Sequence, residues 1–345
     1  MPITTTSRRW TAGAVAAAAA LTLAACSTPA GPDGGNDEPG GEQRAYDIGW
    51  LGGLESDPYF ITMMCGALDQ AEQHGATVDW KGVNAVTNID QINQNVDALL
   101  LAQPDGMVFT ATGQNDNYNV LKINKTGTPL VIAQNLPSLG EYYQAFPSSY
   151  PQDKVEEMAE MMVESSGGEG TVAVFVGLPG PTYEPRWLPM VNVLAEQAPG
   201  LNVLEPQYTQ FDTNNTSKAV AAAIVANPDL KIVYTTSGGE AAGAISAIKT
   251  AGKAGEIQVY TFNATPTVVA AMRAGEVQAI LTTNPDKVGR GAIDAIVEHL
   301  DAIADGGDPA AVADPKVVPS DVGLLTPENI DDPEMAAYIF KERCD

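Results

Sequence analysis

"WLGGLESDPYFITMMCGALDQ", Trp50 to Gln70, opens as the end of a buried strand and closes as an amphipathic helix. Trp50, Leu51 and Leu54 flank two glycines with no charge among them, the pattern of a strand covered on both faces. From Pro58 the apolar spacing is helical. Ser56 or Asp57 suits the N-cap, and Pro58 suits the first helical position, where its missing N–H leaves no bond unmade. Two large rings, Tyr59 and Phe60, then fall in the first turn, beside a loop where water would usually lie. A strand that runs into a helix through a short polar loop is the repeating unit of a parallel sheet.

The rest of the chain repeats the unit. Strand patterns fall at Tyr46–Leu51, Thr77–Trp80, Gly106–Thr110, Leu130–Ala133, Thr171–Val176, Asn202–Pro206, Lys231–Thr235, Gln258–Phe262 and Val277–Thr282. Helical periodicity fills the gaps: Tyr59–His74, Ile89–Leu101, Asn115–Asn124, Lys154–Ser165, Pro185–Gln197, Ser217–Ala226, Glu240–Ala251, Thr267–Ala274 and Lys287–Ile303. This alternation predicts an α/β fold with parallel sheets covered by helices on both faces. The series pauses at "QAFPSSYPQD", Gln144 to Asp153, which marks the passage between two Rossmann-like lobes.

Ahead of these units lies a segment of another kind. Arg8 and Arg9 precede an apolar run, Ala12 to Ala25, too short to span a bilayer comfortably. "LAAC", Leu23 to Cys26, resembles a bacterial lipobox, which implies cleavage before Cys26 and a diacylglycerol on its sulfur. An ordinary secretory signal that happens to contain a cysteine is the alternative. The Arg pair is similar to a twin-arginine signal without its bulky apolar partner, so the export route stays open. Residues 1–25 are thus expected to be a signal peptide, and 26–44, "CSTPAGPDGGNDEPGGEQR", a lipidated cysteine on a disordered tether. Removing the signal leaves 16 basic against 43 acidic residues, a balance that repels nucleic acid. Cys65 and Cys344 remain: a disulfide tying the C-terminal tail to the first helix, or two free thiols. With only His74 and His299, no zinc-spaced cluster exists, and no cofactor or metal is expected.

Function in such a fold is decided by the loops at the carboxyl ends of the strands. Here they read "GLESDPYF", "IAQNLP", "VGLPGPTYEPRW", "TTSGGE" and "FNATP", with "LTTNPD" at the return crossover. They offer Asp, Gln, Asn, Ser, Thr, one Arg and several aromatics. No phosphate-binding glycine loop, dinucleotide fingerprint or nucleophile elbow is present, and neither histidine falls in these loops. The set suits holding a molecule better than transforming one.

Order and spacing of these loops resemble the type I periplasmic sugar-binding proteins, the ribose-binding-protein-like solute receptors of ABC importers. The resemblance runs from Ala45 to about Val322. It is carried by Asp57-Pro58-Tyr59-Phe60, "GTPLVIAQN" (Gly127–Asn135), "TQFDTNN" (Thr209–Asn215), "FNATP" (Phe262–Pro266) and "GEVQAILTTNPDKVG" (Gly275–Gly289). It implies two lobes joined by three crossovers, near Phe146–Ser149, Leu281–Asn284 and Lys316–Pro319, that close on one small solute. The lobes would comprise 45–146 plus 284–315 and 147–283 plus 316–330, followed by a tail helix in 331–345. Partners implied are an ABC permease with its ATPase, and a membrane reached only through the lipid. A monomer is expected.

Carried over by resemblance, Tyr59 and Phe60 press on the apolar face of a sugar ring from the first lobe, and Phe211 and Phe262 do so from the second. Such C–H faces accept aromatic rings without demanding polar partners. Core packing is the alternative for all four. Asp57 would accept hydroxyl hydrogen bonds, or serve only as a cap. Arg186 falls, with a one-residue gap, where the family places a sugar-gripping arginine; pairing with Glu184 on the surface is the other reading. Tyr183 and Trp187 flank it and would wall the same pocket. The chain departs from the family at Gln134-Asn135 (often Asp-Arg), Ser237-Gly238 (often Asn-Asp), Phe262-Asn263 (often Phe-Asp) and Thr283 (often Gln). Where a charged side chain is replaced, a charge-assisted bond of roughly 1.5–3 kcal/mol gives way to one nearer 0.5–1.5. A small neutral solute is expected: a sugar, a deoxy or methylated sugar, or a polyol.

Two other classes fit less of the sequence. The same fold can serve as a receptor for a signal molecule or a non-sugar solute, which residues alone do not separate. An enzyme would use Asp57 or Asp212 as base with only Glu55, Glu184 or Glu240 as a second group, so no enzyme is expected.

Overall fold

The computed structural model describes residues 44–148, 150–307 and 316–344. The expected signal peptide, Cys26 and almost all of the tether lie outside the described residues. In chain order the elements are β1 (Asp47–Leu54), α1 (Pro58–His74), β2 (Thr77–Val83), α2 (Ile89–Leu101), β3 (Gly106–Thr110), α3 (Asp116–Asn124), β4 (Leu130–Gln134) and β5 (Gln144–Pro147). Next come α4 (Gln152–Ser166), β6 (Gly170–Val176), α5 (Leu188–Gln197), β7 (Leu201–Val203), β8 (Gln207–Tyr208) and α6 (Thr213–Ala226). The last are β9 (Leu230–Thr235), α7 (Gly238–Thr250), β10 (Gln258–Phe262), α8 (Pro266–Arg273), β11 (Ala279–Thr283), α9 (Pro285–Ala304), β12 (Lys316–Val317) and β13 (Val322–Leu325).

Two sheets result. The first, in the order β2-β1-β3-β4-β5-β12, is parallel throughout. The second repeats that order as β7-β6-β9-β10-β11, with β8 also paired to β6 and β13 antiparallel to β11. Every residue of β3 and β4 is buried, because helices cover both faces. One lobe's core gathers Trp50, Phe60 and Met63 against Val288 and Ile296 of α9. α9 follows β11 in sequence yet packs on the first sheet, so the chain crosses back between Thr283 and Pro285.

Three expectations change. β5, expected as a crossover, is a strand, and the chain leaves the first lobe after it. Residues from 316 were assigned to the second lobe; instead Lys316 and Val317 pair with β5, and Ser320 N–H still donates to the Pro147 carbonyl, so the third crossing comes near Asp321. The tail forms a 3-10 turn at Pro333–Tyr338 where a helix was expected. Pro333 suits a helix start, but the chain must reach α1 by Lys341, which leaves only a few residues for the turn. Cys65 and Cys344 are joined in a disulfide that fastens the tail to α1. Among the described residues no helix is long and apolar enough to cross a membrane.

Candidate functional site

The 2-1-3-4-5 strand order places its switch point at the carboxyl end of the first strand of each lobe, where ligands enter open sheets. Both ends face one cleft, whose empty space is about 440 Å³ with the open solvent at its mouth included. From the first lobe Leu54, Asp57, Tyr59, Phe60, Val86, Thr112 and Gln134 line it. The second lobe contributes Tyr183, Arg186, Phe211, Ser237 and Asn263.

Local chemistry sets each side chain. Asp57 caps α1 by accepting the Tyr59 amide at 2.9 Å, and Pro58 stands at the first helical position. This cap turns Tyr59 and Phe60 into the cleft. Burial raises the Asp57 carboxyl above its ordinary pKa, against the Tyr59 N–H and the Arg186 charge, which hold it down. Phe60 lies over Gly53 so closely that no side chain fits at that position. In the second lobe Phe211 covers Gly177 in the same way.

Arg186 ends a short 3-10 turn, Glu184–Arg186, whose last carbonyl accepts the Tyr234 hydroxyl at 2.6 Å. Burial opposes its charge, but the phenols of Tyr150, Tyr59 and Tyr183 around it prevail and hold the pKa above the ordinary value. Glu184, its expected surface partner, makes no ion pair with it among the described residues. The guanidinium therefore stands charged in a ring of phenols, with Asp57 the carboxylate that feels it.

Three lining residues other than glycine, Gln134, Phe211 and Asn263, have φ of 77, 58 and 69°. Left-handed backbone at such residues costs about 1 kcal/mol or more and collects where a fold aims side chains at a ligand. Gln134 Oε1 is buried with no hydrogen-bond partner among the described residues; the Tyr59 hydroxyl is buried beside Ser148 and Thr283 but meets neither in good hydrogen-bond geometry. Burial pushes the Tyr59 phenol up to about 12, so it stays a neutral donor. These groups are what a solute rich in hydroxyls would satisfy.

The lobes are closed on each other here. The Tyr183 hydroxyl donates to the Thr112 carbonyl, and Thr182 sits against Gly113. The Thr112 and Gly113 amides donate to Asp116, whose pKa burial raises.

Eight of the residues expected from sequence meet in this cleft: Asp57, Tyr59, Phe60, Gln134, Arg186, Phe211, Ser237 and Asn263. Three do not line it. The Asn135 side chain instead braces the Ala111 carbonyl at 2.8 Å. Phe262 is a correction: its ring turns into the core, edge-on to Tyr150 at 5.1 Å and Tyr234 at 6.0 Å, and so supports the phenols around Arg186. Thr283 is buried behind Tyr59. Leu54, Val86 and Thr112 were missed. Leu54 falls within the loop "GLESDPYF" but is apolar and carries no mark of a ligand contact, and it proves to end β1; Val86 and Thr112 lie in loops whose sequence carries no ligand signal. Trp187, a flank of Arg186, packs on the second lobe's core. The two histidines lie elsewhere, His74 on Asp294 and His299 stacked on Tyr143.

Comparisons with known proteins agree with this architecture. The model of the periplasmic binding protein domain family matches residues 48–304. The ribose import binding protein of Bacillus subtilis is 24% identical over 285 residues, 81% of this chain and 89% of that protein. An ABC transporter solute binding protein from Agrobacterium vitis, solved with α-D-tagatopyranose, superposes with TM-score 0.75 at 23% identity over 86% of this chain and 99% of its own. A second from the same organism, solved with D-fucose, gives 0.73 at 20% identity, covering 85% and 100%.

Proposed function

The chain belongs to the periplasmic binding protein domain family, and we propose that it is the extracytoplasmic receptor of an ABC importer for a small neutral carbohydrate. One observation carries this reading: rings from both lobes, Tyr59 and Phe60 against Phe211 and Tyr183, meet across a cleft whose polar groups are mostly neutral amides and hydroxyls. A sugar or polyol has the same two-sided character, apolar on its C–H faces and polar at its rim. Relatives crystallised with a ketohexose and with D-fucose, a deoxy sugar, support the class. The single cation, Arg186, supplies one charge-assisted grip. One positive charge is poor counterbalance for a phosphate dianion.

Binding works by closure. The solute contacts both lobes at once, so it stabilises the closed form over the open one by whatever it gains from the second lobe. The closed form is what a permease with its ATPase would read. Release would follow reopening of the lobes. Cys26 would carry the lipid that holds the receptor at the outer face of the membrane, with residues 27–44 as its tether. No catalytic step is assigned to the cleft.

A thermal-shift panel tests the reading: D-ribose, D-tagatose, D-fucose, other deoxy and methylated sugars, polyols, nucleosides and small amides. A solute at a hundred times its dissociation constant adds about 2.7 kcal/mol and raises the midpoint by several degrees. A carbohydrate hit abolished by Asn263→Ala supports the receptor. A shift from a nucleoside or amide with silence from every carbohydrate and polyol overturns the sugar and leaves the fold.

A further inference from the structure

The family's resemblance implies three crossings between the lobes, yet the chain makes a fourth contact with both at its C-terminus. Met335, Tyr338 and Ile339 pack on the second lobe's core, and the Tyr338 carbonyl accepts the Thr282 hydroxyl at 3.3 Å. The Phe340 N–H donates to the Ala264 carbonyl at 2.9 Å, the residue after Asn263 of the cleft. At that residue the tail changes sides. The Phe340 ring enters the first lobe's core, edge-on to Tyr59 at 5.5 Å. The next amide, Lys341, donates to Thr62 of α1 at 2.7 Å, and Cys344 is bonded to Cys65 of the same helix.

We propose that the tail, fastened by the Cys65–Cys344 disulfide, is a fourth connection between the lobes that positions Tyr59 in the cleft and limits how far the lobes part. Its anchors to the two lobes are one residue apart, at the Phe340 and Lys341 amides. The disulfide also settles which anchor yields. The end on the first lobe is covalent, so parting the lobes requires the tail to give up its bonds to Ala264 and Thr282, and it is those contacts that resist opening. Phe340 stays behind Tyr59 in either state. Without the disulfide the tail is free to follow the second lobe and withdraw the ring that backs Tyr59. Phe340 is thus a positioning residue, acting on solute through Tyr59.

Only the purpose of this device rests on the receptor reading, because its test needs no solute. The full chain is labelled with 3-fluorotyrosine, and the Tyr59 resonance is identified by its loss in Tyr59→Phe. In solute-free Cys344→Ser and Phe340→Ala the Tyr59 line is expected to shift and broaden. Phe340→Leu should return it toward its original place, while the line of Tyr208, exposed at the far edge of the second sheet, stays fixed. Small-angle scattering of the same solute-free samples should give a larger radius of gyration for Cys344→Ser than for the oxidised chain. A Tyr59 line unmoved in Cys344→Ser, or one that moves together with Tyr208 in every variant, overturns the positioning role; equal radii overturn the restraint on opening. Failure of every carbohydrate to bind would overturn the receptor reading and leave these results standing.

Discussion

The two lobes solve the same problem with different backbones. Each seats a phenylalanine over a glycine at the end of its first strand, Phe60 on Gly53 and Phe211 on Gly177. In the first lobe the ring belongs to the opening turn of α1, after its cap Asp57. The ring of the second lobe comes before its cap, Asp212, and sits at φ 58° beside Gln210 at 59°. A helix turn holds Phe60 at no conformational expense, whereas a bulky residue in left-handed backbone is strained. The first lobe therefore offers rings on a wall continuous with its core, with Gln134 its one lining residue in left-handed backbone. The second offers strained loops that also carry the charge.

The largest expected effect sharpens that contrast. Phe60 is 6% exposed and packs in the core with Trp50 and Met63. Phe60→Ala should lower unfolding stability by about 3–5 kcal/mol, as deletion of a buried aromatic does. Phe211→Ala removes a ring that is only partly buried, so urea unfolding should show a much smaller loss beside a clear loss of binding. Equal stability losses in the two variants would show that both rings are core and that the contrast is false.

This contrast also explains what could be read from the sequence. Asp57-Pro58 is a helix start by rules of capping, so the direction of Tyr59 and Phe60 followed from it. The β-α alternation followed from burial of parallel strands on both faces. Phe211, Gln134 and Asn263 could be placed in strand-end loops, but left-handed backbone at residues other than glycine leaves no mark in composition. Phe262 shows the complementary limit: a residue at a strand's end can face the cleft or the core, and a shift of one residue in the pleat decides. Contacts such as the Tyr183 hydroxyl on the Thr112 carbonyl join residues 71 positions apart with no local signal. Strands of two to four residues, β5, β12 and β13, are too short for a period to show.

Arg186 tests whether the charge belongs to solute or to the fold. Its carbonyl, not its guanidinium, is bonded by Tyr234, so Arg186→Met keeps that contact and fills the phenol ring with an apolar stem. Loss of a charged hydrogen-bond donor should weaken carbohydrate binding by about 1.5–3 kcal/mol, measured by calorimetry on the panel's best sugar, with little change in midpoint. A collapse in stability with binding unchanged would make Arg186 a structural cation.

The lobes differ again beneath the cleft. Glu240, fully buried under Ser237, accepts from the Thr209 hydroxyl at 2.5 Å and from the Thr236 amide and hydroxyl at 3.0 and 2.9 Å. It thereby ties together the two loops that carry Phe211 and Ser237. Burial pushes its carboxyl up to about 7. A folded pKa above the unfolded value of 4.5 means that the folded chain keeps a proton the unfolded chain has released. Its contribution is then full below about pH 4.5 and lost as pH rises through 7, with a slope of at most about 1.4 kcal/mol per pH unit. Glu240→Gln should remove that slope, since its amide oxygen can accept from Thr236 and its NH₂ can donate to Thr209. Urea unfolding from pH 4.5 to 8 would expose an unchanged slope, which would place the proton elsewhere.

The smallest effect has the clearest sign. Asn263 holds φ 69°, and its side chain makes no hydrogen bond among the described residues; the loop is held by its backbone, N–H to Leu281 and carbonyl to Thr265. Glycine at that position removes a left-handed penalty that asparagine already bears better than most, so Asn263→Gly should gain about 0.5 kcal/mol in stability. The same change deletes an amide that faces the cleft and should weaken carbohydrate binding. Opposite signs in one variant are what a side chain kept for solute and not for folding must give. A loss of stability instead would mean that the amide holds the loop, and the second lobe's strain would then serve the fold it was thought to burden.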